Sequence, residues 1–226
     1  MRADTPRDGW YLGRRVDRLR ASRSYGFVLG LVVFELGFLA LGPDTRAAWS
    51  AFVFLQALIL ISAIWTSGLA VVARRPAIAV VVVAIAVGLG QYAWVSSGHD
   101  LAGIMNVVLI LLTCGVIGVG VWDQESVNAQ TVLGVLTIYL LIGALYTFAF
   151  SAAALIGAGP FFAQGTDGTM EQRVYFSFVT LATLGYGDYT PAGTAGQMMA
   201  ISEALIGQIY LVTVVALVIG RLRPRS

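Results

Sequence analysis

TLATLGYGD, Thr180 to Asp188, lies between two of the longest apolar stretches of the chain, and its reading decides the fold. Backbone this polar and Gly-rich is excluded from a bilayer core unless it lines a water-filled or ion-filled path. The surrounding chain is that of a membrane protein. Of its 226 residues 58% are hydrophobic and 12% charged, where a soluble domain is about a quarter charged. Such a chain cannot cover itself with charge.

Working outward, six stretches are long and apolar enough to span as helices: roughly 25–42, 47–73, 77–96, 101–121, 131–157 and 196–220. Turn-type clusters end the first four: Gly42-Pro43-Asp44, Arg74-Arg75-Pro76, Ser96 to Asp100, and Asp123 to Ser126. The first stretch is read as a span rather than a cleaved leader, because it carries Glu35 and no small-x-small site follows it. Six spans put both termini on one side. With that side cytoplasmic, 12 of the 14 Arg are inside, and only Arg46 and Arg173 are outside. The positive-inside rule then predicts a multi-pass protein of the plasma (inner) membrane with cytoplasmic termini. The seven Arg within residues 1–24 are a topology signal rather than a nucleic-acid site. Trp10, Tyr11, Leu12, Val16 and Leu19 interleave with them, which suits either an interfacial helix on anionic lipid or a disordered lead. The lone Cys114 excludes an intrachain disulfide, and no motif supports an enzyme or a cofactor.

The link between the fifth and sixth stretches is therefore external. Thr169-Met-Glu-Gln172 has the capping-box pattern with an acid in the first turn, so a helix starts near Met170. Running to Ala182 it is too short to cross, which makes it a re-entrant helix. The next residues must return to the outside along an aqueous axis. Turning successive carbonyls toward that axis needs alternating backbone hands, and Gly185 and Gly187 adopt positive φ without a Cβ clash. A ladder of such carbonyls, with the Thr183 hydroxyl at its inner end, suits a dehydrated monovalent cation. The negative end of the re-entrant helix points the same way.

Thr183-Leu-Gly-Tyr-Gly-Asp188 resembles the Thr-Val-Gly-Tyr-Gly-Asp filter of potassium channels. The resemblance covers roughly 131–220 and takes in Pro191, Gly196 and Gly207. It implies K+ sites at the carbonyls of Thr183, Leu184, Gly185 and Tyr186, with Gly187 completing the filter. It places Asp188 at the outer mouth and has Tyr186 braced by Tyr175 and Phe176, where the family often has a Trp pair. It makes Gly207 a flexible point, with Gln208, Leu211, Val215 and Ile219 facing the cavity or inner gate. Val179, Thr180 and Ala182 support the filter from behind. Leu184 stands for a Val that supplies only its carbonyl. Ala182 loses a hydroxyl near the cavity. Val179 removes a carboxylate partner of Asp188. One strip per chain cannot enclose an axis, so four identical subunits are expected.

The expectation is thus an all-α membrane protein, a homotetramer of six transmembrane helices with a re-entrant pore helix. Its parts are a basic segment 1–24, a voltage-sensor-like bundle 25–122, a link 123–130, a pore module 131–220 and a tail 221–226. The pore module comprises an outer helix 131–157, a pore helix 170–182, a filter 183–188 and an inner helix 196–220. The fourth span, LAGIMNVVLILLTCGVIGVGVW, carries no Arg or Lys. With no gating charge there, weak or absent voltage dependence is expected. The short link favours a bundle packed beside its own pore helices.

Two intramembrane acids are candidate modulatory residues. Glu35 is either functional or a structural carboxyl paired with Gln56, Gln91 or Asn106; the second is favoured because no basic partner lies at that depth. Glu203 either contacts the back of the pore helix near Thr180 and senses pH, or is a satisfied structural acid. His99 reads as a solvated loop residue. The leading function is a K+-selective channel. A less selective cation channel and a non-conducting regulatory subunit are the alternatives.

Overall fold

The computed structural model describes residues 25–43, 45–67, 71–94, 99–122 and 128–222; its side chains are described except at 46, 71–77, 91–101, 215 and 217–222. The basic segment 1–24, residues 123–127 of the link, the end of the tail and the side chains of Gln91, His99, Val215 and Ile219 lie outside the described residues.

Seven helices follow one another among the described residues: α1 (Tyr25–Leu41), α2 (Arg46–Ser67), α3 (Val71–Trp94), α4 (His99–Trp122), α5 (Ala129–Ile156), α6 (Met170–Leu181) and α7 (Thr194–Leu222). Two isolated bridges, from Phe162 to Thr166 and to Pro191, are the β-type pairing among them. Four helical segments are long and apolar enough to cross a membrane: Ala47–Ser67, Ala102–Trp122, Ala129–Ile156 and Thr194–Val214. Tyr25–Leu41 and Ile78–Gly90 are shorter apolar helices. The 17 residues of α1 rise about 26 Å, against a hydrocarbon core of about 30 Å.

Two boundaries differ from expectation. Arg74-Arg75-Pro76 does not end the second stretch; the triplet lies within the described part of α3 (Val71–Trp94). The link also loses its last residues to α5. Asn128 Oδ1 accepts from the Thr131 N–H at 3.0 Å, and Thr131 Oγ1 accepts from the Asn128 N–H at 3.2 Å. This reciprocal cap starts the helix at Ala129.

α4 packs on α2, α3 and α5, while α1 packs on α2, α5 and α6. Of the first four helices, α1 and α4 thus pack directly on α5, and α1 also on α6. An aromatic seam fixes the contact: the Phe148 ring of α5 lies 6.1 Å from Trp49 and 6.2 Å from Phe52 of α2, both edge-on. Between helices in lipid the hydrophobic effect gives little, so fit and polar contacts carry association. The polar contact is Glu35. It is fully buried, and Gln56, oriented with its amide nitrogen toward the acid, donates to Oε2 at 2.8 Å and Oε1 at 3.1 Å. This is the structural pairing favoured for Glu35. Asn106 is buried without a hydrogen-bond partner and does not share it. Phe27, Phe34, Trp65, Val82 and Leu111 stand exposed on outward faces, as lipid-facing residues do.

Candidate functional site

The site is built from α6. Thr169 Oγ1 accepts from the Gln172 N–H at 3.3 Å, and Gln172 Oε1 accepts from the Thr169 N–H at 2.9 Å. The expected capping box is present, with Glu171 in the first turn. Twelve residues rise about 18 Å, too little to cross. The helix lies close on α5: a Cβ on Gly143 would sit 2.6 Å from the Phe178 ring. At its C-terminal end the chain hangs from its own last turn. The Thr183 N–H donates to the Thr180 carbonyl and the Leu184 N–H to the Val179 carbonyl, each at 2.9 Å. The helix end thus sets where the strip begins.

Backbone hands alternate along the strip: φ is +56° at Thr183, +56° at Gly185 and +81° at Gly187, with Leu184 and Tyr186 on the ordinary side between them. The two glycines behave as expected. Thr183 is the surprise, because a β-branched residue is strained in the left-handed region. Residues 182–188 are all exposed in the single chain. No group of three or more His, Cys, Asp or Glu among the described residues is placed to hold a metal ion. The oxygens on offer along the strip are backbone carbonyls and a hydroxyl, neutral acceptors suited to a cation stripped of water.

The supporting residues are only partly brought together. The Tyr186 ring stacks on Tyr175, with centroids 6.5 Å apart and planes 15° apart. Phe176 does not join them. It is buried in an aromatic cluster, 5.0 Å from Phe150, 6.4 Å from Phe161 and 5.3 Å from Phe162. Successive helix residues point about 100° apart, so positions 175 and 176 cannot face one ring. Val179 is buried, Thr180 half-buried and Ala182, the C-cap, exposed. The Asp188 carboxylate accepts from the Tyr189 N–H at 3.1 Å and lies within reach of the Tyr175 hydroxyl.

Two residues outside the expected site hold its outer side. Gln164 Nε2 donates to the Asp188 carbonyl at 2.7 Å, and its Oε1 accepts from the Thr190 N–H at 3.4 Å. Backbone bonds from Ala163 to Thr190 and from Ala192 to Phe161, each 2.8 Å, fasten the same strands. Arg173 donates to the carbonyls of Asp167 and Gly168 and to Ser151 Oγ, tying the start of α6 to the loop before it and to α5. No spacing in the sequence marks Gln164. Arg173 carried a signal as one of the two external Arg.

On the inner side, α7 runs unbroken through Gly207. A Cβ there would sit 2.5 Å from the Leu181 carbonyl oxygen, so the glycine lets the inner helix touch the last residue of α6. Gln208 and Leu211 are exposed along α7. Glu203 is fully buried behind α6, where its Oε1 meets Ser177 Oγ at 2.5 Å, one turn earlier than the Thr180 expected.

Residues 134–223 match the family described as "Ion channel". A "Two pore potassium channel c" of Oryza sativa subsp. japonica is 38% identical over 69 residues, 30% of this chain and 14% of that protein. "Protein LctB" of Geobacillus stearothermophilus is 33% identical over 94 residues, 42% of this chain and 66% of the relative. "Inward rectifier potassium channel Kirbac3.1" of Paramagnetospirillum magnetotacticum is 30% identical over 90 residues, 39% of this chain and 29% of the relative. The chain thus spans 14%, 66% and 29% of the lengths of these relatives. No solved structure matches it.

The match of residues 134–223 to an ion-channel family, together with four helices long and apolar enough to cross a membrane among the described residues, points to a multi-pass membrane protein. The resemblance to the potassium channel family read from Thr183–Asp188 agrees with these matches.

Proposed function

We propose that four copies of this chain assemble around one axis and pass K+ passively through the carbonyls of Thr183, Leu184, Gly185 and Tyr186. The alternation of backbone hands at Thr183, Gly185 and Gly187 carries this reading. It turns successive carbonyls the same way, which has no use in a packed core and fits a ladder of ion sites. Leu184 and Tyr186 are 57% and 67% exposed in the single chain. A strip at that depth needs cover from protein, and three further subunits supply it. The printed names of two relatives favour K+ as the ion. Six spans in the plasma membrane with cytoplasmic termini follow from the Arg distribution and the two shorter apolar helices. The bundle packs beside its own pore module, in keeping with the contacts of α1 and α4 on α5. The basic lead meets anionic lipid.

Purified protein in planar bilayers tests the reading. A reversal potential following the K+ gradient in mixed K+ and Na+ is expected, from a complex with four times the chain mass. A reversal potential indifferent to the choice of ion makes it a less selective cation channel. Silence from purified protein makes it a regulatory subunit.

A further inference from the structure

Behind the filter, α5, α6 and α7 meet at one hydroxyl. Ser177 Oγ lies 2.7 Å from the Gly143 carbonyl oxygen and 2.5 Å from Glu203 Oε1. Both are oxygen–oxygen contacts of hydrogen-bond length, and each needs a hydrogen between its atoms. Ser177 owns one. A carbonyl has none to give, so the hydroxyl hydrogen points to Gly143 and the second hydrogen must belong to Glu203. The 2.5 Å length alone fits either direction of donation; the hydrogen count decides it.

The surroundings agree. Glu203 and Ser177 are both fully buried. Glu203 Oε2 has no hydrogen-bond partner among the described residues. An ionised carboxylate would leave a charged oxygen unpaired there, far costlier than leaving the carbonyl oxygen of an acid unpaired. From α5 the ionisable group facing the site is Tyr139, and from α6 Ser177 bonds the acid. The Gly143 carbonyl also accepts from Thr147 Oγ1 at 2.9 Å, and its second lone pair is free for the Ser177 hydrogen.

We propose that Glu203 is held as a neutral carboxylic acid that donates its proton to Ser177 Oγ, which donates to the Gly143 carbonyl. This acid–hydroxyl–carbonyl relay ties the inner helix through the pore helix to the outer helix. Glu203 is thus a positioning residue for the filter and not a proton sensor working near neutral pH. The positioning role rests on the channel reading above; the protonation state does not.

The full chain in lipid at neutral pH tests it in two arms. Infrared spectroscopy should show the carbonyl stretch of a buried carboxylic acid that disappears in Glu203→Gln and moves to higher frequency in Ser177→Ala, where the acid loses its acceptor. If Glu203→Gln fails to assemble, the same band and the same Ser177 shift are read in the Glu35→Gln background, whose remaining buried acid among the described residues is Glu203. Absence of the band means an ionised Glu203 and overturns the proposal. In single-channel records, Glu203→Gln, which keeps a donor for Ser177, should hold burst duration within about twofold, while Glu203→Ala and Ser177→Ala shorten it roughly five- to tenfold, as the loss of one buried hydrogen bond implies. Bursts unchanged in both alanine variants, or shortened in Glu203→Gln as much as in Glu203→Ala, overturn the positioning role. A protein that gives the acid band but passes no current refutes the channel reading and leaves the protonation state standing.

Discussion

Gly185→Ala is the perturbation on which the filter reading can be weighed. Gly185 has φ +56°, and a Cβ built on it meets nothing within 4 Å in the chain. The cost is therefore backbone strain, not collision. An L-residue in the left-handed region costs about 1–2 kcal/mol. In the proposed tetramer the strain is paid in every copy, about 4–8 kcal/mol in all, or three to six powers of ten in the population of the carbonyl-inward conformation. Flipping one peptide per chain relieves it and removes a ring of four oxygens from the ladder.

Gly165 supplies the control. It has φ +79° and, like Gly185, open space around its Cβ, but it lies in the external loop. Gly165→Ala carries the same strain without touching the filter. Reversal potentials under bi-ionic K+ and Na+, with tetramer melting measured in parallel, separate the two. Gly185→Ala should lose K+ selectivity or all current while Gly165→Ala keeps both, with a similar loss of melting temperature in each. Retained selectivity in Gly185→Ala refutes the argument from backbone hand. Equal loss of selectivity in both variants would trace the effect to general destabilisation and refute it as well.

Gln164→Ala removes the bonds to the Asp188 carbonyl and the Thr190 N–H. One such bond is worth about 1 kcal/mol, so current should decay roughly fivefold faster during sustained opening; an unchanged time course contradicts the role given to Gln164. Gly207→Ala should gain about 1 kcal/mol in helix propensity yet destabilise the assembly, because its Cβ meets the Leu181 backbone oxygen at 2.5 Å and overpacking costs about 1–3 kcal/mol. A raised tetramer melting temperature would show that α7 does not touch α6 there. Thr169→Ala, which removes the N-cap of α6, should cost about 1 kcal/mol per chain in thermal stability and leave ion preference unchanged. With no Arg or Lys in residues 101–122, the conductance–voltage relation should be shallow; a steep curve without blocker means charge moves elsewhere.

What the sequence made legible was what local rules govern. The capping box of α6 was readable because Thr169 and Gln172 satisfy each other within one turn. Positive φ at Gly185 and Gly187 was readable because glycine removes the steric objection. Thr183 was not, because nothing in a threonine announces a left-handed backbone. The division of Tyr175 from Phe176 is a matter of helix phase relative to partners that the sequence does not position. Gln164 reaches residues 24 and 26 positions away, and no periodicity encodes such a contact. Glu35 and Glu203 look alike in sequence, each a lone acid in an apolar run. Only the fold gives one a Gln56 amide and the other a Ser177 hydroxyl.

These contacts also explain how one strained strip is held. The Thr183 end of the strip hangs from α6, through the carbonyls of Val179 and Thr180. The position of α6 is in turn fixed by α5 at Gly143 and by α7 at Gly207 and Glu203. The outer end is tied to the external loop through Gln164 and the backbone pairs of residues 161–163 with 190–192. A strained φ at Thr183 persists only where its surroundings over-determine it, and here the two ends are over-determined by different elements. Motion of the inner helix therefore reaches the filter through α6 and the Ser177 contact. Loosening of the external loop reaches it through Asp188. The polarity of the strip, which sets it apart from the apolar sequence around it, is thus matched by two separate sets of polar contacts, one at each end.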